Sequence, residues 1–243
     1  MERPLVVLPT FLEAANIVEA LERIRATVPD AEVLVVDDGS PDGTADLAEA
    51  AGERLGGVHV MRRPGKGGLG SAYREGFAWG LGRGYDALVE MDADLSHDAG
   101  SLPDLLRPLG QGADLVIGSR YVHGGSTPDW PKKRALLSRS GNRYAGIMLG
   151  FEVRDSTAGY RAYAADLLAE LELDAIRAEG YAFQIEMTRA VHQAGGEIRE
   201  VAISFSDRIE GTSKMSGRIV VEALALVTWW GLLDRLRLRG RAR

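Results

Sequence analysis

The chain has 243 residues, 45% of them hydrophobic and 26% charged, a composition that excludes disordered and fibrous proteins and allows a sizeable core. It contains no cysteine, which excludes disulfides, thiolate metal sites and a cysteine nucleophile and favours a reducing, cytoplasmic setting. The net charge of −6 argues against a general affinity for nucleic acid.

Short apolar runs alternate with helical patterns over the first two-thirds of the chain. The runs are PLVVLP, EVLVVDD, VHVMRR, YDALVEMDAD and ADLVIGSR. Near-continuous apolar runs are typical of parallel strands covered on both faces, so the pattern predicts an α/β fold with a mostly parallel sheet and crossover helices. The first run is too short for a signal peptide or a spanning helix. We predict one domain over residues 1–215.

Residues 216–243 are predicted to form a separate long helix with a basic end. Ala223 to Leu233 is a run of eleven residues without a charge, too short to span a bilayer, and it contains Trp229 and Trp230. Five arginines follow between Arg235 and Arg243. This helix either packs on the domain or lies amphipathically at an anionic membrane surface, and its arginines favour the second interpretation.

Polar residues follow four of the predicted strands. Open α/β sheets bind ligands at the carboxyl ends of their strands, so these residues are expected to converge at one edge. They are Pro9, Thr10, Phe11 and Glu13, then Asp37, Asp38, Gly39 and Ser40, then Asp92 and Asp94, and finally Ser119 and Arg120. The DDGSPDGT segment fits either a turn with Ser40 or Asp42 capping the next helix, or recognition of a nucleotide's base or ribose.

The stretch EMDADLSH places Asp92 and Asp94 on either side of Ala93. In an extended chain, alternation sends both carboxylates to one side and Ala93 to the other. A divalent cation would offset their repulsion, because Mg²⁺ or Mn²⁺ takes one or two carboxylates together with substrate phosphates. The competing interpretation is a helix N-cap. His97, beside the pair, is predicted to be a surface or capping residue.

The segment GKGGLGSAYREG contains Gly65, Gly67 and Gly70 in the spacing G-x-G-x-x-G. The dinucleotide fingerprint of this form belongs to the first βα turn of its fold, whereas this segment follows the third predicted strand. Dinucleotide binding is therefore disfavoured. We expect a flexible glycine loop near a nucleotide, with Lys66 close to a phosphate.

Eight segments between residue 5 and about residue 218 carry a resemblance to a known family. They are VVLPTFLEAANI, VVDDGSPDGT, GKGGLGSAYREGF, MDADLSHD, VIGSRYVHGG, DSTAGYRAY, GYAFQIEM and SDRIEGTSKM. In this order they resemble glycosyltransferase family 2, and the longer segments, with WPKKRALLSRSGN, resemble its dolichol- or polyprenol-phosphate mannosyltransferase branch. The resemblance implies a GT-A fold, GDP-mannose as donor, polyprenyl phosphate as acceptor, Mg²⁺ or Mn²⁺ as cofactor, and inversion at the anomeric carbon.

The resemblance also implies roles for the matching residues. The guanine pocket would be lined by Pro9, Phe11, Glu13, Val36 and Asp38. The metal would be held by Asp92, Asp94 and, as a further ligand, Ser96, with Ala93 against the nucleotide. Phosphates of donor or acceptor would be contacted by Arg120, Arg208 and Lys214, and the lipid phosphate by Arg134 and Ser138. Asp94, Arg120 and Arg134 are the predicted catalytic residues. Where the family usually has tyrosine and asparagine, this chain has Phe11 and Leu12, so ring stacking carries over and a tyrosine hydroxyl contact does not.

The predicted chemistry needs no strong general base. A phosphate monoester has a second pKa of about 6 and therefore arrives largely as a nucleophilic dianion, while a metal neutralises the charge that develops on the leaving diphosphate. Arg120 and Arg134 would orient the acceptor and offset the repulsion between two anions. Two alternatives stay open: a sibling enzyme that uses another sugar nucleotide such as UDP-glucose, and a non-catalytic nucleotide-sugar-binding scaffold. Peripheral association with the cytoplasmic face of a membrane is expected, and a separate membrane-anchoring protein is left open.

Overall fold

The computed structural model describes residues 3–206 and 217–241, with side chains described for residues 221–236 of the last helix. Its centre is a seven-stranded sheet. The strands are β1 (Pro4–Thr10), β2 (Glu32–Asp37), β3 (Val58–Arg62), β4 (Ala87–Glu90), β5 (Leu115–Ser119), β6 (Arg161–Ala164) and β7 (Ile198–Ala202). The first five coincide with the predicted runs. The last two were not predicted, because neither RAYA nor IREVA is a continuous apolar run.

The helices are α1 (Ile17–Thr27), α2 (Thr44–Leu55), α3 (Leu69–Leu81), α4 (Leu102–Leu109), α5 (Lys132–Leu149), α6 (Ala165–Glu170), α7 (Gly180–Gln193) and α8 (Gly217–Arg241), with short 3₁₀ helices at Ala99–Ser101 and Leu173–Ala175. Their buried positions follow the helical period. In α1, for example, Ile17, Ala20, Leu21 and Ile24 are buried, a spacing that puts one apolar stripe against the sheet.

The strand order β3-β2-β1-β4-β6-β5-β7 places a topological switch point beside β1. The chain adds β2 and β3 on one side of β1 and then crosses to add β4 on the other, and all these pairs are parallel. β6 lies antiparallel between β4 and β5, and β7 is parallel to β5. The mostly parallel α/β sheet confirms the predicted fold class. Such folds bind ligands at the carboxyl ends of the two strands beside the switch point, which here are β1 and β4.

Alternation along β1 divides the core between the two faces of the sheet. Val6 and Leu8 belong to the cluster that includes the apolar stripe of α1, whereas Leu5 and Val7 belong to the cluster that includes Phe77 of α3. All four of these β1 side chains are fully buried. Because each contributes about 1.5–3 kcal/mol relative to exposure, the sheet is a rigid base for the loops at its edge.

Helix α8 packs on the body of the protein through one face. Val227 is 2% exposed and Trp230 is 9% exposed, the Tyr144 and Thr228 hydroxyls lie 2.6 Å apart, and Arg189 of α7 pairs with Asp234. Its opposite face is also apolar and is considered below. The predicted boundary between residues 215 and 216 lies outside the described residues and stays a prediction.

Candidate active site

The structure brings the predicted polar clusters to the carboxyl ends of β1, β2, β4 and β5. Asp37 fixes the first part of this edge. Its carboxylate accepts hydrogen bonds from the Thr10 hydroxyl at 2.9 Å and from the backbone N–H and hydroxyl of Ser40 at 2.9 and 2.6 Å. The β2 turn is therefore held to the end of β1. The predicted turn is present, but neither Ser40 nor Asp42 is the cap of α2, because the N-cap is Gly43 and has no side-chain cap.

Asp38 is tied to the glycine loop through Arg63. The Arg63 guanidinium pairs with Asp38 while both side chains are less than one-tenth exposed, and it also binds Glu75 at 2.9 Å. Asp38 accepts a further hydrogen bond from the Gly67 backbone at 3.1 Å. A Cβ at Gly67 would lie 2.4 Å from the Arg63 guanidinium. A side chain at position 67 would therefore have to displace the guanidinium that pairs with Asp38.

The remaining residues predicted for the base pocket surround this turn. Pro9, Phe11 and Glu13 are partly buried, and the Lys66 ammonium lies 4.6 Å from the centre of the Phe11 ring. The glycine loop thus reaches the predicted stacking residue, and its position near a nucleotide, with Lys66 close to a phosphate, stays a prediction. Val36 is fully buried in the core, so its side chain lies beneath the edge.

The acidic pair sits in a bend, so the alternation argument does not apply to it. β4 ends at Glu90, and Leu95 has a φ of 63°, which terminates the extended chain. Asp94 is 4% exposed and accepts from the Ser96 backbone at 3.1 Å and the Ser96 hydroxyl at 2.6 Å. The Asp92 side chain is 31% exposed. Ser96 therefore holds Asp94 in place here, and its role as a ligand stays a prediction.

His97 is buried, and its prediction as a surface or capping residue was wrong. It is 5% exposed and its ring stacks on Tyr160 with centroids 4.8 Å apart. The backbone N–H of Asp92 donates to Nδ1 of His97 at 3.1 Å, and Asp98, not His97, caps the following 3₁₀ helix. The buried imidazole therefore holds the acidic loop in place through its hydrogen bond with the Asp92 backbone.

Arg120 is held by a buried bidentate pair with Asp155. Its Nε and Nη2 donate to the two carboxylate oxygens at 2.7 and 2.6 Å, and its backbone N–H donates to Asp155 at 2.9 Å. Nη2 also donates to the Thr157 hydroxyl at 2.9 Å. Burial alone would lower the pKa of Arg120, but the Asp155 carboxylate raises it above its usual value. Within the described residues Nη1 has no hydrogen-bond partner, so one edge of a fixed guanidinium can bind an anion.

Trp130 links the two predicted acceptor arginines. Arg134 stacks over its ring at 3.9 Å, and Arg120 lies 5.1 Å from the ring centre. Cation–π contacts of this kind orient a guanidinium without neutralising it. Ser138 lies one helical turn after Arg134 on α5. The structure thus assembles Arg120, Trp130, Arg134 and Ser138, although Trp130 was not predicted.

An apolar groove leads away from this cationic cluster. Arg120, Trp130, Ser138 and Thr157 line its polar end, and its walls come from α5, α7 and α8. The wall residues are Leu137, Gly141, Tyr144, Tyr181, Ile185, Ala223, Leu224 and Val227. The groove, with a volume of about 90 Å³, joins a cationic end to apolar walls, a combination that suits the head and the first part of the tail of a ligand with an anionic head and an apolar tail.

Two further residues join α7 to the site and were missed. Glu179 accepts hydrogen bonds from the backbone N–H groups of Gly70 and Ser71 at the start of α3, at 2.8 and 3.2 Å. Gln184 donates to the fully buried Glu90 at 2.6 Å, and burial raises the pKa of Glu90 to about 7. The GYAFQIEM segment could have drawn attention to this region, but its spacing does not identify partners 94 and 108 residues away.

Arg208 and Lys214 lie outside the described residues, so the structure places neither. Within residues 3–206 and 217–241, no group of three or more His, Cys, Asp or Glu side chains could hold a metal ion. The assignment of Asp92 and Asp94 to a cation therefore involves fewer than three such side chains among the described residues, and it stays a prediction.

Comparison with known proteins decides the family. The model of glycosyl transferase family 2 matches residues 5–172. The chain belongs to glycosyltransferase family 2. It is 52% identical over 233 residues to the undecaprenyl-phosphate mannosyltransferase of Micrococcus luteus, covering 96% of each chain. It is 48% identical to the polyprenol monophosphomannose synthase of Mycolicibacterium smegmatis, covering 100% of this chain and 92% of the relative. The predicted family is confirmed, and both relatives fall in the predicted branch.

The family assignment agrees with the fold. The crystal structure of glucosyl-3-phosphoglycerate synthase from Mycobacterium tuberculosis in complex with Mn²⁺ and UDP-glucose matches with a TM-score of 0.66 at 24% identity, covering 96% of this family 2 member and 79% of that chain. At this identity the likeness shows the fold alone. Across the described part of the chain, no helix combines the length and hydropathy needed to cross a membrane.

Proposed function

We propose that this protein transfers mannose from GDP-mannose to polyprenyl phosphate, giving polyprenyl phosphomannose and GDP with inversion at the anomeric carbon. The proposal is supported by the names of two full-length relatives at 48% and 52% identity. The observation that carries it is the cationic cluster of Arg120, Trp130 and Arg134 at the mouth of an apolar groove. A phosphate on a hydrocarbon chain fits that combination.

The donor is assigned to the opposite part of the edge. The turn of Asp37 and Asp38, the Phe11 ring and the glycine loop lie together at the carboxyl ends of β1 to β3 and would form the base pocket. Asp38 is committed to Arg63 and Gly67, so we infer that it recognises the base by shaping the pocket together with Pro9 and Glu13.

Mg²⁺ or Mn²⁺ would be held by Asp92 and Asp94. The donor set fits, because two carboxylates beside a hydroxyl offer the hard oxygen ligands that both cations take, with room for substrate phosphates. When bound, the ion would neutralise charge on the leaving diphosphate. Ser96 and His97 hold the acidic loop in shape before the ion arrives, which lowers the cost of assembling the site.

The chain's own contribution to the reaction is positioning. Nη1 of Arg120 and the Arg134 guanidinium would bind the acceptor phosphate, whose oxygen forms a bond to the anomeric carbon as the bond to the diphosphate breaks. The acceptor is already a dianion near neutral pH, so no side chain has to remove a proton. His97 Nδ1 accepts a backbone hydrogen bond, which supports a bracing role for this histidine over that of a base.

A peripheral position at a membrane surface is supported by the outward face of α8, and the cytoplasmic side of that membrane is part of the proposal. Val221, Trp229, Leu232 and Leu236 are 66%, 59%, 49% and 63% exposed. They recur at helical spacing on the side opposite Val227 and Trp230, so this surface helix is apolar on both sides. Insertion of α8 into a lipid interface would bury the apolar side chains on its outer face. The proposal also allows for a separate membrane protein that anchors the enzyme.

The test is a transfer assay with purified protein, a short water-soluble polyprenyl phosphate and Mn²⁺. Radiolabelled GDP-mannose and UDP-glucose are supplied in parallel. We expect label to enter the lipid phosphate from GDP-mannose in at least tenfold excess over UDP-glucose. Preferential transfer from UDP-glucose would replace the donor assignment with the sibling enzyme. Binding of either nucleotide sugar without any transfer would leave the scaffold alternative and refute the proposal.

A further inference from the structure

Helix α5 has a charge pattern that the acceptor site does not require. Its 18 residues include Lys132, Lys133, Arg134, Arg139 and Arg143 and contain no acidic side chain, whereas the whole chain has a net charge of −6. Only Arg134 is used by the acceptor cluster. The other four cations extend over more than two turns of an exposed helix, which concentrates positive potential on one surface of an acidic protein.

The exposed face of α5 combines these cations with large apolar side chains. Leu136 and Ile147 are 68% and 63% exposed, and at 100° per residue they lie within one quadrant of the helix together with Arg143. A face of arginines beside exposed leucine and isoleucine is typical of helices that lie in a lipid interface. The face is also adjacent to the apolar outer side of α8, because α5 and α8 pack together through Tyr144 and Thr228.

A wide cleft opens along α5 on the side away from the acceptor groove. It has a volume of about 840 Å³, and three of its lining residues are Arg139, Arg143 and Arg154. The Arg139 guanidinium lies 5.2 Å from the ring of Tyr121. Within the described residues, none of the three arginines forms a salt bridge. Glu152 is the one acidic residue among the lining residues.

We propose that this arginine cleft seats the phosphate headgroup of an anionic bilayer phospholipid. The inference rests on the proposed function only in that the acceptor is a membrane lipid. Arginine is suited to this ligand, because its planar guanidinium binds phosphate oxygens bidentately. Ile147 at the rim would face the acyl region while the cleft takes the headgroup. The protein would then approach the bilayer with α5 and α8 side by side and with the mouth of the acceptor groove between them.

The charge of the leaflet distinguishes this site from simple apolar insertion. Each Lys or Arg near an anionic leaflet contributes about 1 kcal/mol, so removal of two arginines should weaken partitioning about 30-fold. The variant is Arg143→Gln with Arg154→Gln, which spares the acceptor residues and the Arg139–Tyr121 contact. The matched control is Arg23→Gln with Arg54→Gln, which removes the same charge from exposed arginines of α1 and α2.

The experiment measures co-sedimentation of the full chain with two kinds of vesicle. One is phosphatidylcholine alone, and the other contains about 30% phosphatidylglycerol and is therefore anionic. We expect the cleft variant to lose binding to the anionic vesicles, the control to keep it, and both to bind neutral vesicles equally. Equal loss in the two variants would overturn the headgroup site in favour of general electrostatics. Unchanged binding by the cleft variant would also overturn it.

Two further arms separate the source of the phosphate and the status of the proposed function. Inorganic phosphate at millimolar concentration should not displace the protein from anionic vesicles; displacement at that concentration would assign the cleft to a soluble anion and overturn the proposal. Transfer to the short water-soluble acceptor without vesicles should be the same in the cleft variant and the wild type. If the wild type transfers nothing while its vesicle binding depends on Arg143 and Arg154, the proposed function fails and the headgroup site stands.

Discussion

Replacement of Asp155 by asparagine should both destabilise the protein and impair acceptor use. Asp155 is fully buried and makes three hydrogen bonds to Arg120, two from the guanidinium and one from the backbone. Asparagine has nearly the same shape, but it keeps one acceptor oxygen and directs an N–H₂ group at the Arg120 guanidinium. The substitution therefore leaves a buried cation without its counter-charge while the surrounding packing is preserved.

The expected loss follows from the burial of the pair. The Arg120 and Asp155 side chains are 6% and 0% exposed, and removal of one partner from a buried pair costs about 3–5 kcal/mol. Since a domain is stable by about 5–15 kcal/mol, this is a large share of the total. The matched control is Asp104→Asn, which breaks the Arg107 pair with side chains 64% and 54% exposed. An exposed pair of this kind is worth about 0–1 kcal/mol.

Urea unfolding measures both variants, and transfer kinetics measure the consequence for function. We expect the urea concentration at the unfolding midpoint to fall strongly for Asp155→Asn, while the dependence of the unfolding free energy on urea concentration stays the same. Binding of GDP-mannose should persist under conditions in which the variant is folded. Transfer should fall because Arg120 loses its fixed orientation. The reasoning would be refuted if Asp155→Asn lowered the free energy of unfolding by less than about 1 kcal/mol, or by the same amount as Asp104→Asn. The double variant with Arg120→Met should lose less than the sum of the single variants, because no uncompensated charge remains.

Four other perturbations have expected outcomes. Asp94→Asn should nearly abolish transfer at limiting Mn²⁺, measured by titrating the metal, because one of two anionic ligands is lost. Arg134→Ala should leave GDP-mannose binding by calorimetry near the wild-type value while transfer to lipid phosphate collapses. Leu12→Asn should raise the melting temperature by about 2–4 °C, since Leu12 is half exposed at a φ of 63° and the left-handed region costs roughly 1–2 kcal/mol for a residue other than glycine or asparagine. Hydrogen bonds from His59 and Tyr85 lower the pKa of Glu32, so its stabilisation is present above its ordinary value of 4.5 and is lost as pH falls through the lowered pKa; Glu32→Gln should cost below about 1 kcal/mol at pH 7, and this cost should shrink steadily as pH falls below 4.5, measured by urea unfolding.

Each of these expectations has an outcome that contradicts it. Asp98→Asn, which alters a neighbouring acid that caps a 3₁₀ helix, should keep the wild-type metal dependence; an equal effect of both changes would count against the metal assignment. Donor binding weakened as much as turnover in Arg134→Ala would reverse its assignment to the acceptor. An unchanged or lower melting temperature for Leu12→Asn would mean that the loop does not store strain. A stability difference at Glu32 that does not shrink as pH falls below 4.5 would count against a charge effect.

The strand pattern predicted the positions of the acidic and cationic clusters because burial on both faces leaves a continuous apolar run. β1, β2, β4 and β5 are such runs, whereas β3 is a partly buried edge strand, and the polar residue after each run lies at the edge where parallel strands end. The same rule missed β6, because Arg161 is buried inside it. The guanidinium is satisfied by the carbonyls of Ala158, Gln184 and Ser156, partners that a sequence pattern does not show.

The sequence predicted the residues assigned to ligands better than it predicted the residues that hold the site in place. Arg63 lies 25 residues from Asp38, and Trp130 belongs to no periodic pattern. Asp155 stands in the DSTAGYRAY segment, whose resemblance to the family indicated importance but no partner. Contacts of this kind depend on how loops pack against one another in the folded protein. Neither local secondary-structure propensity nor the spacing of hydrophobic residues predicts that packing.

The position of β6 explains how one edge can carry both an acidic and a cationic cluster. Asp92 follows β4 and Arg120 follows β5, and β6 lies between these two strands. Neighbouring strands are about 4.8 Å apart, so the two clusters start from strand ends roughly 10 Å apart and do not neutralise each other. The loop that enters β6 supplies Asp155 and Thr157, which fix Arg120 from its own side. Under the proposed function, the antiparallel strand would separate the acidic cluster, assigned to a metal-bound diphosphate, from the cationic cluster, assigned to the lipid phosphate, and the sugar would pass across the gap between them.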